Sequence, residues 1–96
     1  MKRRGNCYVT CEALFHLLGG KAAGLVPHTV RHEGDVHWYL VRRIGTRTRV
    51  DIEVVIDPTA SQFKTPPPYD KGRGCGFLTK QPSKRARALM DRMVWQ

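Results

Sequence analysis

The chain has 96 residues, 41% hydrophobic and 26% charged, which predicts one domain (residues 1–96) with a single modest core and excludes a disordered or fibrous protein. Seventeen Lys and Arg against eight Asp and Glu leave a formal charge of +9, which favours acidic partners, nucleic acid among them, and says nothing about fold. Three cysteines are an odd number, so a complete disulfide framework is excluded and a reducing, cytoplasmic compartment is expected.

The opening Met1-Lys2-Arg3-Arg4 resembles the charged start of a signal peptide, but Asn6, Thr10, Glu12 and His16 interrupt any apolar stretch behind it. No segment is long and apolar enough to predict a membrane span. Residues 7–18 instead read as a helix. Cys7, Cys11, Leu14 and Leu18 fall on one stripe, with Phe15 and Leu17 widening it. Asn6 is suited to the N-cap and Gly19-Gly20 to the stop. This reading puts Cys7 at the first helical position, where the helix dipole favours a thiolate. Cys11, one turn deeper, is expected to be an inert core residue.

His28 to His32 reads as a short strand, Glu33-Gly34-Asp35 as a turn, and Val36 to Arg43 as a longer strand. Thr48 to Ile56 alternates, with Val50, Ile52, Val54 and Ile56 on one face. A hairpin register with His37 directly opposite Asp57 sets Trp38 against Ile56, Leu40 against Val54 and Ile44 against Val50 on one face. It sets Tyr39 against Val55 and Arg43 against Asp51 on the other. Residues 63–82 form a loop-rich connector containing Pro66-Pro67-Pro68 and the glycines around Cys75, which is expected to be exposed. Residues 83–96 form a basic amphipathic helix capped by Ser83. Ala86, Leu89, Met90, Met93 and Val94 make its apolar stripe, with Lys84, Arg85, Arg87 and Arg92 on the other side.

The chemistry rests on Cys7, His37 and Asp57. A thiol nucleophile needs a base to become a thiolate, and the base needs a third group to hold its ring and tautomer. A helix-borne Cys, a His on a strand and an Asp at the next strand's end, in that chain order, resemble the papain-like and transglutaminase-like superfamily of cysteine enzymes over residues 5–63. The Ile56-Asp57-Pro58-Thr59-Ala60 stretch is similar to the strand end of its transglutaminase-like and acyl-transfer branches. The resemblance implies an α+β fold with a compact papain-like core: an N-terminal helix on a three- to four-stranded antiparallel sheet, plus the C-terminal helix. It implies Cys7 as nucleophile, His37 as base and Asp57 as its orienting acid, acting on an amide or ester without cofactor or metal. A protein or peptide is the substrate implied. Papain-like enzymes place a glutamine upstream of the nucleophile, and this chain has none there. Asn6 or Gln62 is the alternative side-chain donor, beside the Cys7 backbone N–H, and Tyr39 is expected to line the site. The whole chain also resembles short proteins of bacteria and their phages, which implies a bacterial cytosol.

Two other readings compete. Cys7, Cys11, His28 and His32 offer four potential zinc ligands, although their spacing is unlike the common ribbons. Arg42, Arg43, Arg47 and Arg49 around the hairpin loop, with the basic last helix, offer a phosphate-binding surface that fits a nucleic-acid or host-protein module on a degenerate fold.

Overall fold

The turn between the first two strands fixes most of the sheet. Glu33 and Gly34 both hold positive φ, 48° and 82°, as a two-residue hairpin loop that matches the right-handed twist of its strands requires. The strands it joins, β1 (Leu25–His32) and β2 (Asp35–Ile44), pair antiparallel from His32 opposite Asp35 to Leu25 opposite Arg42. Asp35 therefore opens β2 instead of completing the turn. In this computed structural model residues 3–45, 52–77 and 80–94 are described, those at 3–6 by backbone alone.

The fold is a small α+β domain. Helix α1 (Arg3–Leu17) leads through a short 3-10 turn (Gly20–Ala23) into β1 and β2. Strand β3 (Ile52–Ile56), 3-10 turns at Ala60–Gln62 and Tyr69–Lys71, strand β4 (Arg73–Gly74) and helix α2 (Lys84–Val94) follow. The four-stranded sheet is antiparallel throughout, in the order β3-β2-β1-β4. β4, Gly74 and the Tyr69–Lys71 turn fall inside the stretch expected to be a loop-rich connector.

Three sequence expectations are corrected. First, α1 begins at Arg3, so Cys7 lies in its second turn and Asn6 inside it, not at a cap. Leu18, expected on the apolar stripe, lies beyond the helix and is half exposed.

Second, β2 and β3 pair two residues away from the expected register: Leu40 meets Ile56, Arg42 meets Val54 and Ile44 meets Ile52. A shift of two preserves the face of every side chain, because the pleat repeats every two residues. The expected alternation survives while each expected partner changes. Arg43 finds Glu53 at 3.7 Å, and its expected partner Asp51 lies outside the described residues, as do Arg47, Arg49, Val50 and Thr48.

Third, β3 is an edge strand whose Ile52, Val54 and Val55 remain 47%, 42% and 41% exposed, so its apolar alternation does not report a buried face. Trp38, expected over Ile56, instead stands opposite Thr29. Its ring stacks on Phe77 (centroids 5.5 Å apart) and meets Tyr8 of α1 edge to face at 4.8 Å.

On the opposite face of the sheet, Val30, Tyr39 and Val41 form a buried cluster with Tyr69 against it. The helices are joined by a buried polar contact. Glu12, fully buried in α1, accepts hydrogen bonds from the Ser83 backbone N–H (3.0 Å) and hydroxyl (2.7 Å). Ser83 in turn accepts from the Ala86 N–H at 3.2 Å and so caps α2, as its sequence position predicts. Met93 and Val94, at the end of the predicted apolar stripe, are 40% and 58% exposed. No helix among the described residues is long and apolar enough to cross a membrane.

Candidate active site

Cys7, His37 and Asp57 come together. Cys7 Sγ lies 3.3 Å from His37 Nδ1, and His37 Nε2 lies 2.7 Å from Asp57 Oδ2. The two ring nitrogens thus face two different groups, the geometry of a thiol, a base and an orienting acid. The His37–Asp57 contact is diagonal. Because Leu40 is opposite Ile56, continuing the ladder brings Asp57 level with Tyr39, and His37 sits one same-face position further along β2. Diagonal neighbours of this kind are within reach of long side chains. The expected dyad therefore forms in a register other than the one that suggested it.

The first five residues of β2 extend past the β2–β3 ladder, which stops at Leu40. It is at this part of β2 that α1 meets the sheet, with Cys7 against His37 and its neighbour Tyr8 against Trp38.

Two further donors converge on the sulfur. Gln62 Nε2 donates to Cys7 Sγ at 2.8 Å and Thr59 Oγ1 at 3.5 Å. Both come from the short segment that follows Asp57, so the strand end supplying the acid also supplies two donors to the thiol. Phe63, the next residue, sets its ring edge to face against His37 at 4.6 Å. The three central side chains are sealed by these contacts, with Cys7 1% and His37 0% exposed.

The electrostatics follow from this arrangement. Burial pushes the Cys7 thiol up, but hydrogen bonds from His37, Thr59 and Gln62 outweigh it and pull the thiol down from 9.0 to about 7. Burial pushes His37 down, while its hydrogen bonds to Asp57 and Cys7 raise it from 6.5 to about 9. The pair is poised as thiolate and imidazolium between those values. The sequence reading credited the helix dipole for the thiolate. With Cys7 in the second turn, the side-chain donors carry it instead, since the dipole effect fades within the first turn. Cys11 is fully buried, and burial, with the Asp57 charge behind it, pushes its thiol far above the ordinary value. Cys75 is exposed, as expected, and its thiol is raised by partial burial.

A second layer holds Asp57. The Tyr69 hydroxyl donates to Asp57 Oδ2 at 2.7 Å, sharing the oxygen that faces His37, and the Tyr39 hydroxyl donates to the Tyr69 carbonyl at 3.2 Å. Tyr39 was expected to line the site. It lies fully buried beneath it instead, its ring stacked 6.1 Å from that of His37. Tyr69 was missed. It lies in the stretch read as a connector, and the only signal was an aromatic after a proline triplet. Thr59 was also missed as a donor, although it was quoted as part of the Asp57 motif. The Asn6 side chain lies outside the described residues.

The zinc alternative does not assemble. The His28 ring is 3.1 Å from the Val26 carbonyl and His32 Nε2 is 2.9 Å from the Thr65 carbonyl, while Cys7 is held by the three donors above. Among the described residues no group of three His, Cys, Asp or Glu side chains is placed to hold a metal ion. A cavity of about 560 Å³ walled by Phe15, Leu25, Pro27 and Phe77 contains none of the three site residues. Comparison with protein-family models, with curated proteins and with solved structures returned no match.

Proposed function

We propose that the chain is a thiol-dependent hydrolase or acyltransferase acting on an amide or ester bond, a minimal enzyme of papain-like or transglutaminase-like type. The observation that carries the reading is the continuous relay from Cys7 Sγ through both nitrogens of His37 to Asp57 Oδ2, at 3.3 and 2.7 Å. A buried structural cysteine needs no such partners, and three donors on one sulfur cost polar burial that a packing role does not repay.

In this reading the Cys7 thiolate attacks the carbonyl carbon. The imidazolium of His37 gives its Nδ1 proton to the departing amine or alkoxide as the C–N or C–O bond breaks, leaving a thioester. Neutral His37 then takes a proton from water, or from an amine acceptor, as that nucleophile attacks the thioester and restores the thiolate. Asp57 holds the ring by accepting from Nε2–H throughout and does not itself take the proton. Gln62 is the side-chain donor for the oxyanion. Its amide donates to the sulfur at rest and so stands next to the place where the attacked carbon and its oxygen would come. Substrate entry requires the Thr59–Phe63 segment to move aside, because it seals the thiol.

The test is labelling of the intact chain with an electrophilic amide mimic such as a haloacetamidine, followed by mass mapping. Modification at Cys7, lost in His37→Ala, supports the reading. Modification confined to exposed Cys75, with Cys7 untouched in the folded protein, would sink it.

A further inference from the structure

We infer that the open edge of β1, at the cationic groove formed by Arg31, Lys71 and Arg73, is a docking site for an extended acidic peptide segment of a partner protein. The site is separate from the thiol chemistry and stands whether or not that chemistry occurs.

β4 pairs with β1 only through His28 opposite Gly74 and Thr29 opposite Arg73. One step earlier in the sequence the chain leaves the ladder at Gly72 and folds into the Tyr69–Lys71 turn. β1 nevertheless runs on through Val30 and Arg31 to His32. The Pro27 carbonyl faces outward, since it accepts from the Cys75 N–H at 2.8 Å. Alternation along an antiparallel strand then turns the backbone groups of Thr29 and Arg31 to the same side. Beyond the end of β4, the Arg31 N–H and carbonyl therefore face an open edge. A groove of about 480 Å³ lies there, lined by Thr29, Val30, Arg31, Val36, Lys71 and Arg73.

An unpaired strand edge is a template for another strand, and a partner peptide can extend it with main-chain hydrogen bonds while alternate side chains give specificity. Here the side chains flanking the edge are three exposed cations, and the structure gives none of them an ion pair among the described residues. Two of them are arginines, whose planar forks suit carboxylates. Val36, directly opposite Arg31 and on its face of the sheet, supplies an apolar wall beside them, while the Val30 side chain is turned into the core on the other face.

A nucleic acid is the weaker occupant. The groove offers no aromatic side chain on which a base stacks, whereas it does offer a peptide edge. Strands are spaced about 4.8 Å apart, so a segment paired to β1 would lie roughly 10 Å from β2, the strand that carries His37.

The experiment uses the full chain and a fluorescein-labelled peptide of alternating Glu and Val, eight residues long, read by anisotropy. The matched Lys/Val peptide and a twelve-nucleotide oligothymidylate serve as comparisons. The acidic peptide should bind, the Lys/Val peptide should not, and the oligothymidylate should bind more weakly than the acidic peptide. Arg31→Gln with Arg73→Gln should weaken acidic-peptide binding at least tenfold. Arg85→Gln with Arg87→Gln, an equal loss of charge on α2, should change it less than twofold. Arg31→Glu with Arg73→Glu should invert the preference towards the Lys/Val peptide. Hydrogen exchange at the Arg31 amide should slow when the acidic peptide is bound, as pairing at that edge demands. Cys7→Ala should leave all of this unchanged, so a failure of docking and a failure of thiol chemistry read separately. No binding, binding that the α2 variant reduces equally, or an oligothymidylate that binds more tightly through the same arginines would each overturn the assignment.

Discussion

Gln62 Nε2 approaches the Cys7 sulfur to 2.8 Å, closer than His37 Nδ1 at 3.3 Å, although 55 residues separate the two in the chain. The amide is a neutral donor to a group that carries charge only as a thiolate, so it favours the ionised form. A hydrogen bond to a charged group is worth about 1.5–3 kcal/mol, and one pKa unit corresponds to about 1.4 kcal/mol. Gln62→Ala should therefore raise the Cys7 pKa by about one unit and slow iodoacetamide labelling at pH 7 several-fold. Stopped-flow alkylation against pH in a variant lacking Cys75 measures it. If labelling accelerates with no change in pKa, Gln62 acts only as a cover over the thiol and not as a donor.

The pH dependence has a defined sign at each limb. Cys7 is depressed to about 7, so the thiolate is lost as pH falls through that value. His37 is raised to about 9, so the proton it gives to a leaving group is lost as pH rises through that value. Turnover of an ester or amide should be bell-shaped with limbs near 7 and 9, the two values belonging to the coupled pair. Alkylation, which needs no proton donor, should rise through about 7 and then level. In the stability linkage, the His37 contribution is complete below its unfolded value of 6.5 and disappears as pH rises through about 9. The Cys7 contribution is complete above 9 and disappears as pH falls through about 7. His37→Ala should return the thiol to 9 or above and cut the thiolate at pH 7 by roughly fiftyfold, with Cys11 unreactive throughout.

The three central residues were legible in the sequence because each belongs to or directly follows a regular element with a strong local pattern. Cys7 is in α1, His37 in β2 and Asp57 just after β3, although Cys7 lies in the second turn of its helix and not at its start. The hairpin face was legible for the same reason: alternation reports which side a residue faces. Alternation does not report which partner it faces, and the pairing lies two residues from the expected one because every second register satisfies the same pattern. The start of α1 was misread because Asn6 suits a cap, yet the helix runs back to Arg3. Glu12 was read only as a break in an apolar stretch. Nothing local in the sequence announces that Ser83, 71 positions on, supplies both of its hydrogen bonds. Tyr69 was hidden likewise, since its link to Asp57 depends on the path of a proline-rich segment that has no periodicity to read.

Glu12 offers a test of how the two helices are joined. Its carboxylate is fully buried and accepts two hydrogen bonds from the residue that caps α2. Glu12→Ala removes both acceptors, leaves the Ser83 donors to find water, and opens space in α1's buried face. A loss of about 2–4 kcal/mol is expected from a truncation of this kind, read by urea denaturation. Ser83→Ala should cost less, about 1–2 kcal/mol, because the Ser83 backbone N–H still reaches Glu12 while the α2 cap is lost. Equal and negligible effects from both would mean that α2 docks through its apolar face alone.

The last prediction concerns Gly72, whose φ of −72° is open to any residue. What requires glycine there is not the backbone but Tyr39. A Cβ at position 72 would lie 1.7 Å from the Tyr39 hydroxyl oxygen and 2.8 Å from the ring carbon bearing it. That hydroxyl donates to the Tyr69 carbonyl, and Tyr69 holds Asp57. Gly72→Ala must push Tyr39 or the Tyr69–Lys71 turn away, at about 1–3 kcal/mol by the usual cost of overpacking. The strain should pass to Asp57 and lower the Cys7 alkylation rate along with stability. Tyr39→Phe deletes the atom in the closest clash, so the double variant should recover part of the stability lost by Gly72→Ala, giving a favourable coupling of about 0.5–2 kcal/mol in a double-mutant cycle. Its alkylation rate should recover less, because the hydrogen bond to Tyr69 stays absent. Strictly additive effects on thermal stability would show that Tyr39 and Gly72 do not constrain each other, and that the tyrosine layer beneath Asp57 does not position it.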